Sequence, residues 1–190
     1  MRLIPLALAD TNAVTVAVTI AVILAGCATP YNSAYKDFMR SRPLQRTAAA
    51  TVYECSMQDL AASQEAGRTY TQVQGLGPAS VWTREQSMQY NRRILEPLKY
   101  QHPDELCIVG QLNILADHLV ASTDKGLQNF AQSKGATVVF LACDYAGQTR
   151  EQAWWSTNMA IAESHDHYAV SAVFFAPRDA VEAANDAGSK

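Results

Sequence analysis

The chain has 190 residues, 48% of them hydrophobic and 17% charged, with a formal net charge of −3. That length suits one domain, and the modest charge with ordinary apolar content excludes wholesale disorder. A pI near 5.8 lacks the basic footprint of a general nucleic-acid binder, so no nucleic-acid partner is expected.

Met1–Gly26 reads as an export signal. Arg2 is its only basic residue, and Ala13–Ala25 is an uninterrupted, largely apolar stretch of h-region length. It ends in Leu24-Ala25-Gly26-Cys27. The small residues at 25 and 26 suit a peptidase that needs narrow side chains beside its cut. The Cys27 thiol is a nucleophile that can carry a lipid as a thioether. This stretch resembles the lipobox of bacterial lipoproteins. The resemblance implies removal of residues 1–26 and a mature chain starting at acylated Cys27, with this covalent lipid in place of any other cofactor. Ala28, where retained lipoproteins have Asp, implies a Gram-negative outer membrane lipoprotein facing the periplasm. Several acyl chains on one residue exceed the one-chain threshold for stable anchoring. Two features depart from the pattern: Asp10 partly cancels Arg2, and Thr11 and Asn12 are polar. An uncleaved signal anchor is the alternative reading. Gly26, Thr29, Pro30 and Asn32 interrupt the roughly 20 apolar residues that a spanning helix needs.

Residues 27–50 read as a lipidated tether, with Pro30, Pro43 and no sustained period. Lys36, Arg40, Arg42 and Arg46 outweigh Asp37, which would favour an anionic surface by about 1 kcal/mol per close charge. A solvated linker is the plainer reading, and Phe38 and Met39 offer a third, docking on the domain. A single α+β domain is expected over 51–178. Thr51–Cys55 is β-prone. Ser56 and Asp59 form a helix N-terminus, and Gly67 is the expected stop. Arg68–Gln74 alternates and predicts a strand. Gly75, Gly77 and Pro78 make a turn, and Thr83 with Gln86 starts a second helix that Pro97 ends.

In the C-terminal half, Leu106–Gly110, extendable to Leu115, suits a buried strand. Ser122 or Thr123 caps a helix that buries Leu127, Phe130 and Ala131 and closes at Gly135. Thr137–Cys143 and Tyr168–Ala176 are further strands. The pattern predicts a small mixed sheet with a β-α-β-β unit, its first two strands parallel neighbours through a right-handed crossover, and helices packed on one face. The last two strands would pair as a hairpin around a long excursion. Residues 179–190 read as a tail, frayed helix or disordered. The order Ile108-Val109-Gly110, Lys134-Gly135-Ala136, Val138–Leu141 and Tyr168–Phe175 resembles a module of uncharacterised bacterial lipoproteins. That resemblance implies a fold and no activity.

Three cysteines besides Cys27, namely Cys55, Cys107 and Cys143, would meet an oxidising compartment after export. An odd three allow at most one internal disulfide, and buried thiols are the alternative. If 107 and 143 lie on parallel neighbours, they sit too far apart to bond, which leaves Cys55 as the partner of either. His165 and His167 share one side of a strand, and with Cys143 could form a zinc or copper site. Trp154 and Trp155 lie in Ala146–Glu163, where helical spacing predicts an amphipathic helix. They either pack on the sheet or face a partner or membrane. No Gly-x-Ser-x-Gly, His-Glu-x-x-His or phosphate-binding-loop motif is present in the sequence. The expected role is a lipid-anchored envelope protein with a structural or protein-interaction function and no evident enzymatic activity. Its partners would be the membrane and an envelope protein. The alternative is a periplasmic thiol- or metal-handling protein that uses Cys143, His165 and His167.

Overall fold

A computed structural model describes residues 31–38, 43–77, 82–156 and 159–187. Cys27, Arg40, Arg42, Met39 and the signal segment lie outside the described residues. A helical turn, α1 (Tyr31–Ala34), leads directly into β1 (Tyr35–Asp37). Then follow β2 (Thr51–Glu54), α2 (Met57–Val73), α3 (Arg84–Leu95), β3 (Leu106–Ala116), α4 (Lys125–Ser133), β4 (Val138–Ser156), β5 (Met159–Pro177) and α5 (Arg178–Asp186).

The fold is α+β with a five-stranded mixed sheet in the order β1-β3-β5-β4-β2. Only β2 and β4 pair in parallel; every other neighbour is antiparallel. The expected crossover between adjacent parallel strands is therefore corrected. β3 and β4 do run the same way, but β5 lies between them. The reason is the direct hairpin from β4 to β5, which places β5 beside β4 and leaves its far edge to β3.

Side chains alternate between two cores, as a pleated sheet requires. Val139, Leu141, Val170, Ala172 and Phe174 face the first, with Leu127, Phe130 and Ala131 of α4, and Val181 and Ala184 of α5 packed against it. Val138, Phe140, Val173 and Phe175 face the second, with Leu60 of α2 and Ile94 and Leu95 of α3. Helices thus cover both faces, where one was expected. A sheet whose strands are apolar on both sides must be covered on both.

Four local expectations change. The helix starting after Ser56 does not stop at Gly67 but runs to Val73, so the strand expected over Arg68–Gln74 is helical. Gly67 is there for close packing: a Cβ would stand 2.7 Å from Ile94 Cγ2 on α3. The true stop is Gly75, at φ 59°, with the Leu76 N–H donating to the Thr71 carbonyl. The cap of α4 is Asp124, whose carboxylate accepts from the Leu127 N–H. Of the excursion over Ala146–Glu163, expected as a helix, residues 146–156 and 159–163 belong to strands β4 and β5. Ala153, Trp154, Thr157, Ala160 and Ile161 fall at helical spacing, but the aromatic and branched residues of this stretch suit a strand at least as well. Other expectations stand, among them the Thr83–Gln86 capping box and the Gly135 helix stop at φ 73°.

The segment read as a tether contributes to the core. Tyr31 and Leu44 are buried, and β1 pairs with β3 from Tyr35↔Leu112 to Asp37↔Gly110. Tyr35 makes edge contacts with Phe130 and Phe174, both with centroids 5.3 Å away. Its hydroxyl donates to the Val109 carbonyl at 3.1 Å. The ring crosses directly over Gly110, where a Cβ would fall 2.1 Å from the Tyr35 hydroxyl. Where β1 ends, buried Asn91 completes the β3 edge: its amide donates to the Leu106 carbonyl, and its carbonyl accepts from the Ile108 N–H.

Gly110→Ala should cost about 1–3 kcal/mol by overpacking. In a Tyr35→Ala background the same change should cost almost nothing. Urea unfolding of the four proteins in a double-mutant cycle checks this, and additive effects would contradict the proposed contact.

Candidate functional site

The sheet has two unlike ends. β3 terminates at Ala116, opposite Tyr168. Beyond that level β4 and β5 continue as a pair, from Gly147↔His167 to Ser156↔Met159. This two-stranded ribbon has no strand paired to either edge among the described residues. Over ten residues of β4 it spans about 33 Å. A bulge between Tyr145 and Gly147 marks its base.

The N-terminal segment reaches the same end. β1 runs antiparallel to β3, so residues before Tyr35 lie toward Ala116. Tyr31 then packs on Phe130, with ring centroids 5.6 Å apart, and on Gly126. Its hydroxyl interacts with Asp124, the cap of α4. Burial, then the Asp124 charge and hydrogen bond, push the Tyr31 hydroxyl up to about 12. One carboxylate therefore holds both the start of α4 and the start of the described chain. Among the described residues, the exposed large hydrophobics Leu115, Leu119 and Tyr145 occupy this end too. The loop around them is tied down, with the Ser122 N–H donating to Glu54 and Asp117 beside His118.

The three cysteines are free thiols and are not brought together. Cys107 pairs with Ala176 and Cys143 with Val170, about 20 Å apart along β5. Cys55 lies with the second core and Cys143 with the first, on opposite faces. The disulfide expected from compartment and count thus has no pair in position to form it. The Cys55 thiol donates to the Leu141 carbonyl at 3.5 Å. Burial, then the Asp59 charge, push it up to about 11. Burial also raises Cys107.

His165 and His167 are register partners of Thr149 and Gly147 on the ribbon. Cys143 lies opposite Val170, about 10 Å farther along β5 than His167. Zinc needs all its ligand atoms within about 2.3 Å of one point. Cys143 packs on the core, and His167 Nε2 is 2.7 Å from Thr149 Oγ1. Among the described residues no three His, Cys, Asp or Glu side chains are grouped to hold a metal. Trp154 lies on β4 opposite Ala160, with Trp155 next to it at a register shift. Of the expected basic tether, Lys36 sits on β1 and Arg46 precedes Thr47, whose N–H donates to Gln132 at the other end of α4. These two charges do not line one edge.

Two hollows remain. One, of about 240 Å³, lies between α2 and β3 and is lined by Ser63, Gly67, Tyr90 and Gln111. It is smaller than the roughly 300–1,000 Å³ of ligand pockets. The other, an open groove of about 620 Å³ at the opposite end from the ribbon, is lined by Arg84, Asp104, Arg178 and Glu182. Its charges are mutually engaged: Arg84 with Glu182 at 3.1 Å, and Arg178 with the carbonyls of Asp104 and Leu106. Arg92 holds the Asp104 carboxyl below its ordinary range. Neither hollow presents an activated nucleophile. No protein-family model, curated protein or solved structure matches this chain.

The site that sequence reading missed is the N-terminal docking cluster. Its signal was Tyr31 and Tyr35 four apart, ahead of an Ile-Val-Gly strand that has no side chain at Gly110. At pH 8, Cys55 should alkylate about 100-fold more slowly than a thiol at 9.0, because its thiolate is that much scarcer. Mass-resolved iodoacetamide labelling of the folded and denatured protein checks this. Equal rates in both states would contradict it.

Proposed function

We propose that this protein is a lipid-anchored component of the bacterial envelope, held at the outer membrane by acylated Cys27, with a structural or interaction role rather than a catalytic one. The single observation that carries the reading is Leu24-Ala25-Gly26-Cys27 at the end of an apolar run. The fold is compatible with it: Tyr31, the first of the described residues, is already buried and lies four residues after Cys27. No helix among the described residues is long and apolar enough to cross a membrane.

The interaction role is supported by what the surface offers. The thiols Cys55 and Cys107 are held protonated, and the charged groove is internally paired. Exposed apolar side chains remain, with a ribbon that has no further strand paired to it among the described residues, and such features serve docking. The thiol- or metal-handling alternative finds no grouping of Cys143 with His165 and His167 to favour it.

The mass of the mature N-terminal peptide tests the anchor. A Cys27 peptide carrying a diacylglyceryl thioether is expected, and Cys27→Ser should move the protein from the washed membrane pellet to the soluble fraction. An unmodified chain that still starts at Met1 would refute it.

A further inference from the structure

The hollow between α2 and β3 gathers polar side chains that the fold itself does not use. Gln64 of α2, Tyr90 of α3 and Gln111 of β3 all line it, and none of these three side chains makes a hydrogen bond among the described residues. The two hydroxyls beside them are committed elsewhere: Ser63 donates to the Ile94 carbonyl and Thr71 to the Arg68 carbonyl. The Tyr90 phenol is fixed in place. Its ring packs on Trp82 and Tyr70, with centroids 4.9 and 6.3 Å away. Gly67 leaves the space it occupies, since a Cβ there would stand 3.1 Å from the Tyr90 hydroxyl. Burial raises this hydroxyl above its ordinary range, so it stays protonated and can both donate and accept. Largely buried polar groups are ordinarily hydrogen-bonded, and a phenol without a protein partner calls for one inside the hollow.

The lining defines the ligand. Among the described lining residues the charged side chain is Arg68, and its Nη1 lies 2.9 Å from Glu65, so the site favours a neutral molecule. Two carboxamides and a phenol each present a donor and an acceptor, so the ligand must carry both. The remaining wall, with Phe38, Ile94 and Val173, is apolar and suits a ligand with a C–H face. The volume of about 240 Å³ is room for roughly eight waters. That is too little for a drug-sized molecule and enough for one hydroxylated ring.

We propose that this hollow is a binding site for a single neutral sugar ring, whose hydroxyls engage Gln64, Tyr90 and Gln111 while its C–H face lies on the apolar wall. The site goes beyond the envelope role proposed above and does not depend on the lipid anchor.

Saturation-transfer NMR of the full-length protein in a zwitterionic detergent tests this, with methyl glucoside and methyl galactoside as probes. Transfer to the ring protons of at least one of them is expected. Tyr90→Phe removes only the hydroxyl and should raise the dissociation constant about fivefold, the worth of one neutral hydrogen bond. Because that hydroxyl has no protein partner, the same change should leave the urea midpoint level or higher. Gln111→Ala should weaken binding in the same direction. No transfer to either sugar would overturn the proposal. Transfer of equal strength in wild type and both variants would place the sugar elsewhere and also overturn it. Displacement of the sugar by an equal concentration of acetamide would assign the hollow to an amide group instead.

Discussion

The seating of Tyr35 over Gly110 is the constraint on which the rest of the molecule depends. A glycine in a strand interior usually weakens the strand, since it packs nothing and costs entropy. Here the missing side chain is a notch. Tyr35 fills it, donates to the Val109 carbonyl and meets Phe130 and Phe174 edge-on. One ring thereby joins a short edge strand, a central strand and a covering helix. Lys134 Nζ lies 5.0 Å from the centroid of the same ring, adding a cation–π contact from the last turn of α4. Three residues of β1 could not hold an edge by backbone hydrogen bonds alone. The ring makes the pairing specific, and the pairing sets the direction from which the preceding residues arrive.

That direction turns a sequence signal into a spatial one. A lipobox says that a chain is tethered and not how the domain sits. With a flexible tether of two dozen residues any orientation would serve. With Tyr31 buried against α4 and engaged with Asp124, a lipid on Cys27, as proposed above, would have only a few residues between it and the domain and would commit one end of the sheet toward the membrane. The opposite end carries the Arg84–Glu182 ion pair and Arg178, which donates to the Asp104 and Leu106 carbonyls. Among the described residues the two ends thus differ: exposed apolar side chains at one, a charged groove at the other.

The sequence made some of this legible, for identifiable reasons. Branched and aromatic runs such as Thr137–Cys143 and Tyr168–Ala176 mark strands because apolar continuity reports burial on both faces. Capping chemistry at Ser56 and Thr83 is local, so it could be read locally. The errors share a cause, which is that one residue type serves two purposes. Gly67 looked like a helix stop, yet it clears space for Ile94 and Tyr90. The tether looked unstructured because Tyr31, Tyr35 and Leu44 are spaced too irregularly to show a period, though each finds a separate place in the core. The excursion after Cys143 looked helical because strand continuation in a ribbon lacks the core-facing alternation of a packed strand. Strand order was beyond reach, since β5 falls between β3 and β4 only through long-range pairing. Cys143, His165 and His167 were close in sequence terms, but a core-facing position and an exposed ribbon separated them.

The lipid anchor proposed above predicts an orientation: the Ala116 end faces the membrane. Förster transfer to acceptor-labelled headgroups measures it most directly, from donors placed in turn at positions 119 and 99 of the acylated protein on vesicles. Leu119 lies in the loop after β3, and Lys99 lies in the turn before β3 begins, at the other end. The account requires strong transfer from 119 and weak transfer from 99. Equal transfer from both, or stronger transfer from 99, would contradict it.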